Sequence, residues 1–198
     1  MSRVMLDTIK QLYNLIWFCK KVSIPFEVYA FTNEWKKPEF DYETNQIINP
    51  ADFTCSYEKK ENLLAVSEHF SLMNLLTSKT NGKQLENQMI NIWRIAKAFS
   101  NFYGAPYSVP TRLGLSGTPL NEAFVCLHQI LPQFQRQNKL QKVQCIVLTD
   151  GEANHLSRHV EVKRHWESEP YMGHRQLSGG VTFLRDRKTG NTYQVPYG

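Results

Sequence analysis

Two oxygen-bearing side chains, Thr118 and Asp150, are the residues of this sequence best suited to bind a hard metal ion. Asp150 ends the apolar run 143–149 and is followed by Gly151, whereas Thr118 stands directly before Pro119. Open α/β sheets collect functional side chains at the carboxyl ends of their strands, so we expect both residues on one rim of a sheet. Hydroxyl and carboxylate oxygens are ligands that Mg²⁺ accepts. The pair therefore predicts a divalent-metal site.

Each of these residues also has an ordinary structural interpretation. A threonine before a proline is typical of a helix N-cap, and an aspartate before Gly151 is typical of a turn that closes a strand. Taken singly, Thr118 and Asp150 favour those roles, but their placement at two sheet-edge positions favours the metal site. Glu152 is a further candidate, as an acceptor in the outer coordination shell.

Alternating helix and strand patterns predict the elements that would position these residues. Apolar residues recur at helical spacing in three segments, and β-forming residues concentrate in two others. A helix followed directly by a strand is half of a βαβ unit, which predicts an α/β, Rossmann-like layer. The helices are predicted at 3–21, 83–99 and 119–137, the strands at 24–32 and 143–149, and a hairpin at 181–184 and 192–195.

Two further segments are less regular in sequence. Residues 33–62 are polar and contain two prolines, which predicts a long surface insertion. Residues 69–76 are compatible with a short strand or with a helical turn, because periodicity does not separate the two in so short a run.

The two oxygen-bearing motifs together resemble the von Willebrand factor A (VWA) domain. Residues 116–123, with the sequence SGTPLNEA, are similar to the loop that carries that family's threonine ligand. Residues 146–152, with the sequence IVLTDGE, are similar to the strand that delivers its aspartate. The resemblance implies a three-layer fold and a metal-ion-dependent adhesion site (MIDAS) for Mg²⁺ or Mn²⁺, with Thr118 and Asp150 as ligands. It also implies protein–protein interaction rather than catalysis, with an acidic residue of a partner completing the metal shell.

The sequence departs from the family pattern at both ends. The Asp-x-Ser-x-Ser motif that precedes the family's first helix does not occur in this sequence before its first predicted helix, and a basic, His-rich segment follows residue 152. The resemblance therefore implies a partial VWA domain over 1–152, without its first strand and its last strands. Residues 153–198 are expected to add a His-rich insertion and a β-hairpin to the same domain. Metal binding is expected to be weak or absent without the missing motif.

The intracellular branch of the family is the closer resemblance, and it includes the VWA subunit of cobalt and magnesium chelatases. Members of that branch work with AAA+ ATPases, which makes such an ATPase the expected partner class. No signal peptide or apolar run of about 18 residues is present, which predicts a cytoplasmic protein without membrane association. The cysteines form no CxxC motif and fit a reducing compartment; they are Cys19, Cys55, Cys126 and Cys145.

A zinc-dependent hydrolase is one alternative. His155 and His159 are four residues apart, so on a helix they would share one face, as zinc ligands often do. His165, Glu161 or His174 would supply a third ligand. No glutamate directly follows His155, so the general base of the HExxH motif is absent.

Nucleic-acid binding is a second alternative, which the sequence disfavours. The net charge of +5 is moderate, and basic residues cluster only locally. Aromatic residues interleave with one of these clusters and would stack on bases; the group is Arg158, Lys163, Arg164, Trp166 and Tyr171. Phosphate-loop and GxSxG motifs are absent, which argues against those enzyme classes.

Overall fold

The protein, seen in a computed structural model, is a mixed α/β structure whose strands form small open sheets. The structure describes residues 2–33, 39–41, 43–44, 46–49, 58–67, 69–100, 109, 113–149, 151–163, 165–166 and 168–196. The helices are α1 (Ser2–Lys21), α2 (Gly82–Ser100) and α3 (Leu120–Gln137). The strands are β1 (Glu27–Asn33), β2 (Glu39–Phe40), β3 (Ile47–Asn49), β4 (Leu64–Ala65), β5 (Phe70–Thr77), β6 (Ser157–Val162), β7 (Tyr171–Gln176), β8 (Phe183–Arg185) and β9 (Thr192–Gln194).

The core lies between helices α1 and α2 and strand β5. Apolar residues at helical spacing give each helix one buried face, and these faces pack together. The buried cluster comprises Ile9, Ile16, Leu76, Leu85, Met89, Ile92 and Ala96. The Tyr13 hydroxyl of α1 donates a hydrogen bond to the Met89 carbonyl of α2, which ties the two helices together. The predicted helices are confirmed, with ends that differ by a residue or so, as is usual for helix termini.

Strands β1 and β5 pair antiparallel along their whole length, from Glu27 opposite Thr77 to Asn33 opposite Phe70. The ladder contains one irregularity between Val28 and Tyr29. The 69–76 segment, for which the sequence allowed a strand or a helical turn, is therefore a strand. The pairing also confirms the strand predicted at 24–32, although the strand starts later because Pro25 cannot donate to a ladder.

The remaining described strands also pair antiparallel. Strand β6 lies between β4 and β7, and the predicted hairpin is confirmed as β8 and β9. Strands β2 and β3 pair within the segment that was expected to be irregular, so that expectation was wrong for this short stretch. Among the helices that the structure describes, none combines the length and the apolar character needed to cross a membrane.

The strand predicted at 143–149 is not formed. The structure gives this segment no regular secondary structure, and within the described residues it pairs with no strand. Ile146 is 62% exposed, and Cys145 is exposed as well. A β-forming composition favours a strand only when a neighbouring edge satisfies the backbone groups, and no described edge does so here.

Candidate metal site

The loop that carries Thr118 is held by the end of strand β1. The Ser116 N–H donates to the Thr32 hydroxyl oxygen at 2.8 Å, and the Asn33 N–H donates to the Ser116 carbonyl at 2.8 Å. The Thr32 hydroxyl in turn donates to the same carbonyl at 3.1 Å. Because Thr32 is fully buried, these bonds are shielded from water. The loop before α3 is therefore fixed against the end of strand β1.

Gly117 brings the loop backbone into close contact with Asn33. The Gly117 backbone adopts a φ of +70°, and a Cβ at this position would lie 2.8 Å from Asn33 Nδ2. Both features favour a glycine at this position. The Asn33 Oδ1 atom is buried and has no hydrogen-bond partner among the described residues. The end of β1 thus places an amide oxygen without a partner beside the residue that precedes Thr118.

Thr118 contacts the segment that follows Asp150. A Cβ on Gly151 would lie 2.9 Å from Thr118 Oγ1, so the two residues touch through the glycine's bare backbone. The Thr118 N–H donates to Asn154 Oδ1 at 3.3 Å, and the Asn154 N–H donates to the Thr118 carbonyl at 2.8 Å. Asn121 Nδ2 adds a bond of 2.8 Å to the Asn154 carbonyl. The 116–123 and 151–154 segments are therefore joined, while Asp150 itself lies outside the described residues.

Thr118 does not act as the helix cap that its sequence context favours. Helix α3 has Pro119 at its N-cap position and no side-chain cap hydrogen bond. The hydrogen bonds of Thr118 to other described residues are made by its backbone N–H and carbonyl groups. The hydroxyl oxygen lies close to Gly151. Such an oxygen is available to a ligand.

Glu122, which the sequence reasoning missed, is a buried acidic residue close to Thr118 in the chain. It is 6% exposed, and its Oε2 atom has no hydrogen-bond partner among the described residues. It lies in the first turn of α3, where the helix dipole stabilises a negative charge. Burial, assisted by the charge of Glu122, raises the pKa of the Cys126 thiol. Glu152, the candidate outer-shell acceptor, is exposed.

The available oxygen donors are chemically suited to a hard cation. A hydroxyl, an amide oxygen and carboxylates are ligands that Mg²⁺ takes, usually while keeping several waters. The described residues include no group of three or more His, Cys, Asp and Glu side chains that could hold a metal ion. Asp150 lies outside the described residues. A full coordination shell at Thr118 would therefore need Asp150 or further ligands.

The histidines of the alternative zinc site lie on a strand rather than on a helix. His159 is a buried residue of β6, and His155 precedes this strand as an exposed residue. The β-branched residues Val160 and Val162 favour the strand, and pairing with β7 stabilises it. The helical face expected to unite His155 and His159 is thus not formed.

The basic and aromatic residues of the second alternative are spread along β6, β7 and their connection. Arg158 donates a hydrogen bond to Asn62 Oδ1 at 2.5 Å, and Trp166 is exposed with an edge-on contact to His165. Lys163 is exposed, Tyr171 begins β7, and Arg164 lies outside the described residues.

Comparison of the sequence with models of protein families gave no match. Comparisons with curated proteins and with solved structures likewise gave none.

Proposed function

We propose that this protein is a VWA-type interaction domain that binds protein partners through a divalent metal held at Thr118 and Asp150. One observation carries the proposal: the Thr118 hydroxyl lies against Gly151, the residue next to Asp150. Two motifs that are more than 30 residues apart in sequence are thereby neighbours in space. Both motifs were predicted to bind a metal ion. A shared metal site explains their contact better than chance does.

The proposed layer is Rossmann-like and needs a further strand. Strand β1 is paired with β5 along one edge, and the apolar 143–149 segment pairs with no described strand. The end of β1 and the residues that follow 143–149 contact the same loop, the one before α3. Asn33 lies against Gly117, and Gly151 lies against Thr118. A strand that supplied hydrogen bonds to β1 and to 143–149 would make one continuous sheet with the site at its rim.

In this site the Thr118 hydroxyl and the Asp150 carboxylate would hold Mg²⁺ or Mn²⁺ directly or through waters. Asn33 Oδ1 and Glu152 are further oxygen donors for waters of the shell. The bound metal would supply a positive charge with an open coordination position. An acidic side chain of a partner protein fits such a position because carboxylates are preferred ligands of these ions. An AAA+ ATPase is the partner class that the family resemblance favours.

Thermal unfolding in the absence and presence of millimolar Mg²⁺ tests the proposal. A ligand that binds only the folded state raises the melting temperature. We expect Mg²⁺ to raise it for the unaltered protein and for Asp7→Asn, which makes the same carboxylate-to-amide change at an exposed position on α1. We expect Asp150→Asn and Thr118→Val to remove the rise, and Thr118→Ser to keep it because the hydroxyl is retained. An identical rise in Asp7→Asn and Asp150→Asn would contradict the proposal.

A further inference from the structure

His159 on strand β6 is a buried imidazole without a hydrogen-bond partner. It is 6% exposed, and within the described part of the chain neither Nδ1 nor Nε2 has a partner. A neutral imidazole carries one N–H donor and one acceptor nitrogen, and burying both unpaired is unfavourable. Buried polar groups of this kind are rare in folded proteins, so a ligand for this ring is the physical explanation we consider.

The register of the sheet places His174 directly opposite His159. The backbone of His159, unlike its ring, is hydrogen-bonded. The backbone N–H of His159 donates to the Leu63 carbonyl at 2.8 Å, and the backbone carbonyl of His159 accepts from the Asn62 N–H at 2.9 Å. Because both main-chain groups point toward β4, His159 and His174 form a non-hydrogen-bonded pair across β6 and β7. Such pairs bring the Cα atoms to about 4.5 Å and the side chains to the same face.

We propose that His159 and His174 form a two-histidine site for a divalent transition metal such as Zn²⁺. Neutral imidazole nitrogens are good ligands for Zn²⁺, Ni²⁺ and Cu²⁺ and poor ones for Mg²⁺. His174 is exposed and lies on β7, an edge strand of the β4–β6–β7 sheet. A metal ion in solution can therefore reach the pair from the β7 edge. Binding would give one nitrogen of His159 the partner that it lacks.

This site differs from the His155 and His159 arrangement that a helix would have produced. His155 lies before β6 and does not belong to the pair. His174 belongs to it because the pairing of β6 with β7 places it opposite His159. Among the residues that the structure describes, no group of three His, Cys, Asp or Glu side chains could hold a metal. The metal would therefore have two protein ligands and keep waters in its other positions, which leaves it open to a further ligand.

Titration calorimetry of the full chain with Zn²⁺, in a large excess of Mg²⁺ to fill any hard-metal site, tests this inference. We expect one Zn²⁺ per chain and at least a tenfold weaker affinity for His174→Ala. The matched control is His155→Ala, which removes an exposed histidine close in sequence but outside the pair and should leave the affinity unchanged. Circular dichroism of each variant verifies that the sheet is retained, and both changed positions are exposed.

Imidazole nitrogen NMR spectra provide a second readout that needs no mutation of the buried ring. Zn²⁺ should shift the nitrogen resonances of His159 and His174 together and leave those of His155 in place. The inference is overturned if the unaltered protein binds no Zn²⁺, if His174→Ala binds it as tightly as His155→Ala does, or if other histidines shift instead.

Discussion

Strand β5 and the 143–149 segment are similar in sequence but have different structures. Both are short, mainly apolar runs bounded by polar residues. In β5, Leu76 is completely buried, and the strand pairs with β1 along its length. In the 143–149 segment, Leu148 is 42% exposed, and the segment pairs with no described strand.

The difference shows that an apolar composition favours a strand but does not suffice to form one. The strand forms only where a neighbouring strand edge accepts its backbone hydrogen bonds. A residue in an extended conformation exposes its N–H and C=O groups unless another strand accepts them. Strand β5 has β1 on one edge and the helices α1 and α2 covering its apolar side chains. The 143–149 segment has neither a paired edge nor a packed face in the described structure, although its sequence is at least as apolar.

The largest expected effect comes from making the same substitution in both regions. Leu76→Ala should lower the free energy of unfolding by about 2–5 kcal/mol, because it opens a cavity in the packed core. Leu148→Ala should cost less than about 1 kcal/mol, because the side chain is already partly in water. Urea denaturation monitored by circular dichroism measures both. Equal losses for the two variants would mean that 143–149 is packed as tightly as β5 and would break the comparison.

A smaller effect on the free energy of unfolding is expected at the hydrogen bond between α1 and α2, the two helices that pack on β5. Tyr13→Phe removes the hydroxyl that donates to the Met89 carbonyl and should cost about 1 kcal/mol. Tyr193→Phe, which makes the same change at a residue that is 59% exposed, should cost almost nothing. Urea denaturation of the two variants gives the difference, and equal values would show that the helix–helix hydrogen bond adds no stability.

The same tyrosine predicts a dependence of stability on pH. Burial raises the pKa of Tyr13 from 10.0 to about 12. Between these values the unfolded chain has lost the phenol proton while the folded protein keeps it, so the free energy of unfolding should fall as pH rises through this range. Tyr13→Phe should fall less steeply than the unaltered protein over the same interval. Parallel curves would argue against a partly buried Tyr13 that stays neutral in the folded protein.

The helices and the β8–β9 hairpin could be predicted from sequence because their signals are local. Ile9, Ile16, Leu85 and Met89 recur at helical spacing and are buried in the core. The 143–149 segment could not be predicted in the same way, since its fate depends on a partner edge that no local pattern reveals. His159 shows the same limit: its strand and its opposite residue follow from pairing between distant segments.

The candidate metal site could be predicted in part. Thr118 was singled out by its motif, and the structure places it against Gly151. Whether Asp150 and Thr118 share a metal remains a prediction. Asn33 and Glu122 were missed, although Asn33 carries a usable signal as a polar residue directly after a predicted strand. Glu122 gave no such signal, because its burial depends on how α3 packs.

The most direct test of the central claim is paramagnetic broadening of backbone amide signals by Mn²⁺, which detects even weak binding. The effect is confined to amides near the ion. If Thr118 and Asp150 share a site, substoichiometric Mn²⁺ should broaden the Thr118 and Gly151 signals first and spare those of α1. Asp150→Asn should abolish that selectivity. Preferential broadening elsewhere, or the same pattern in Asp150→Asn, would contradict a metal held by these two residues.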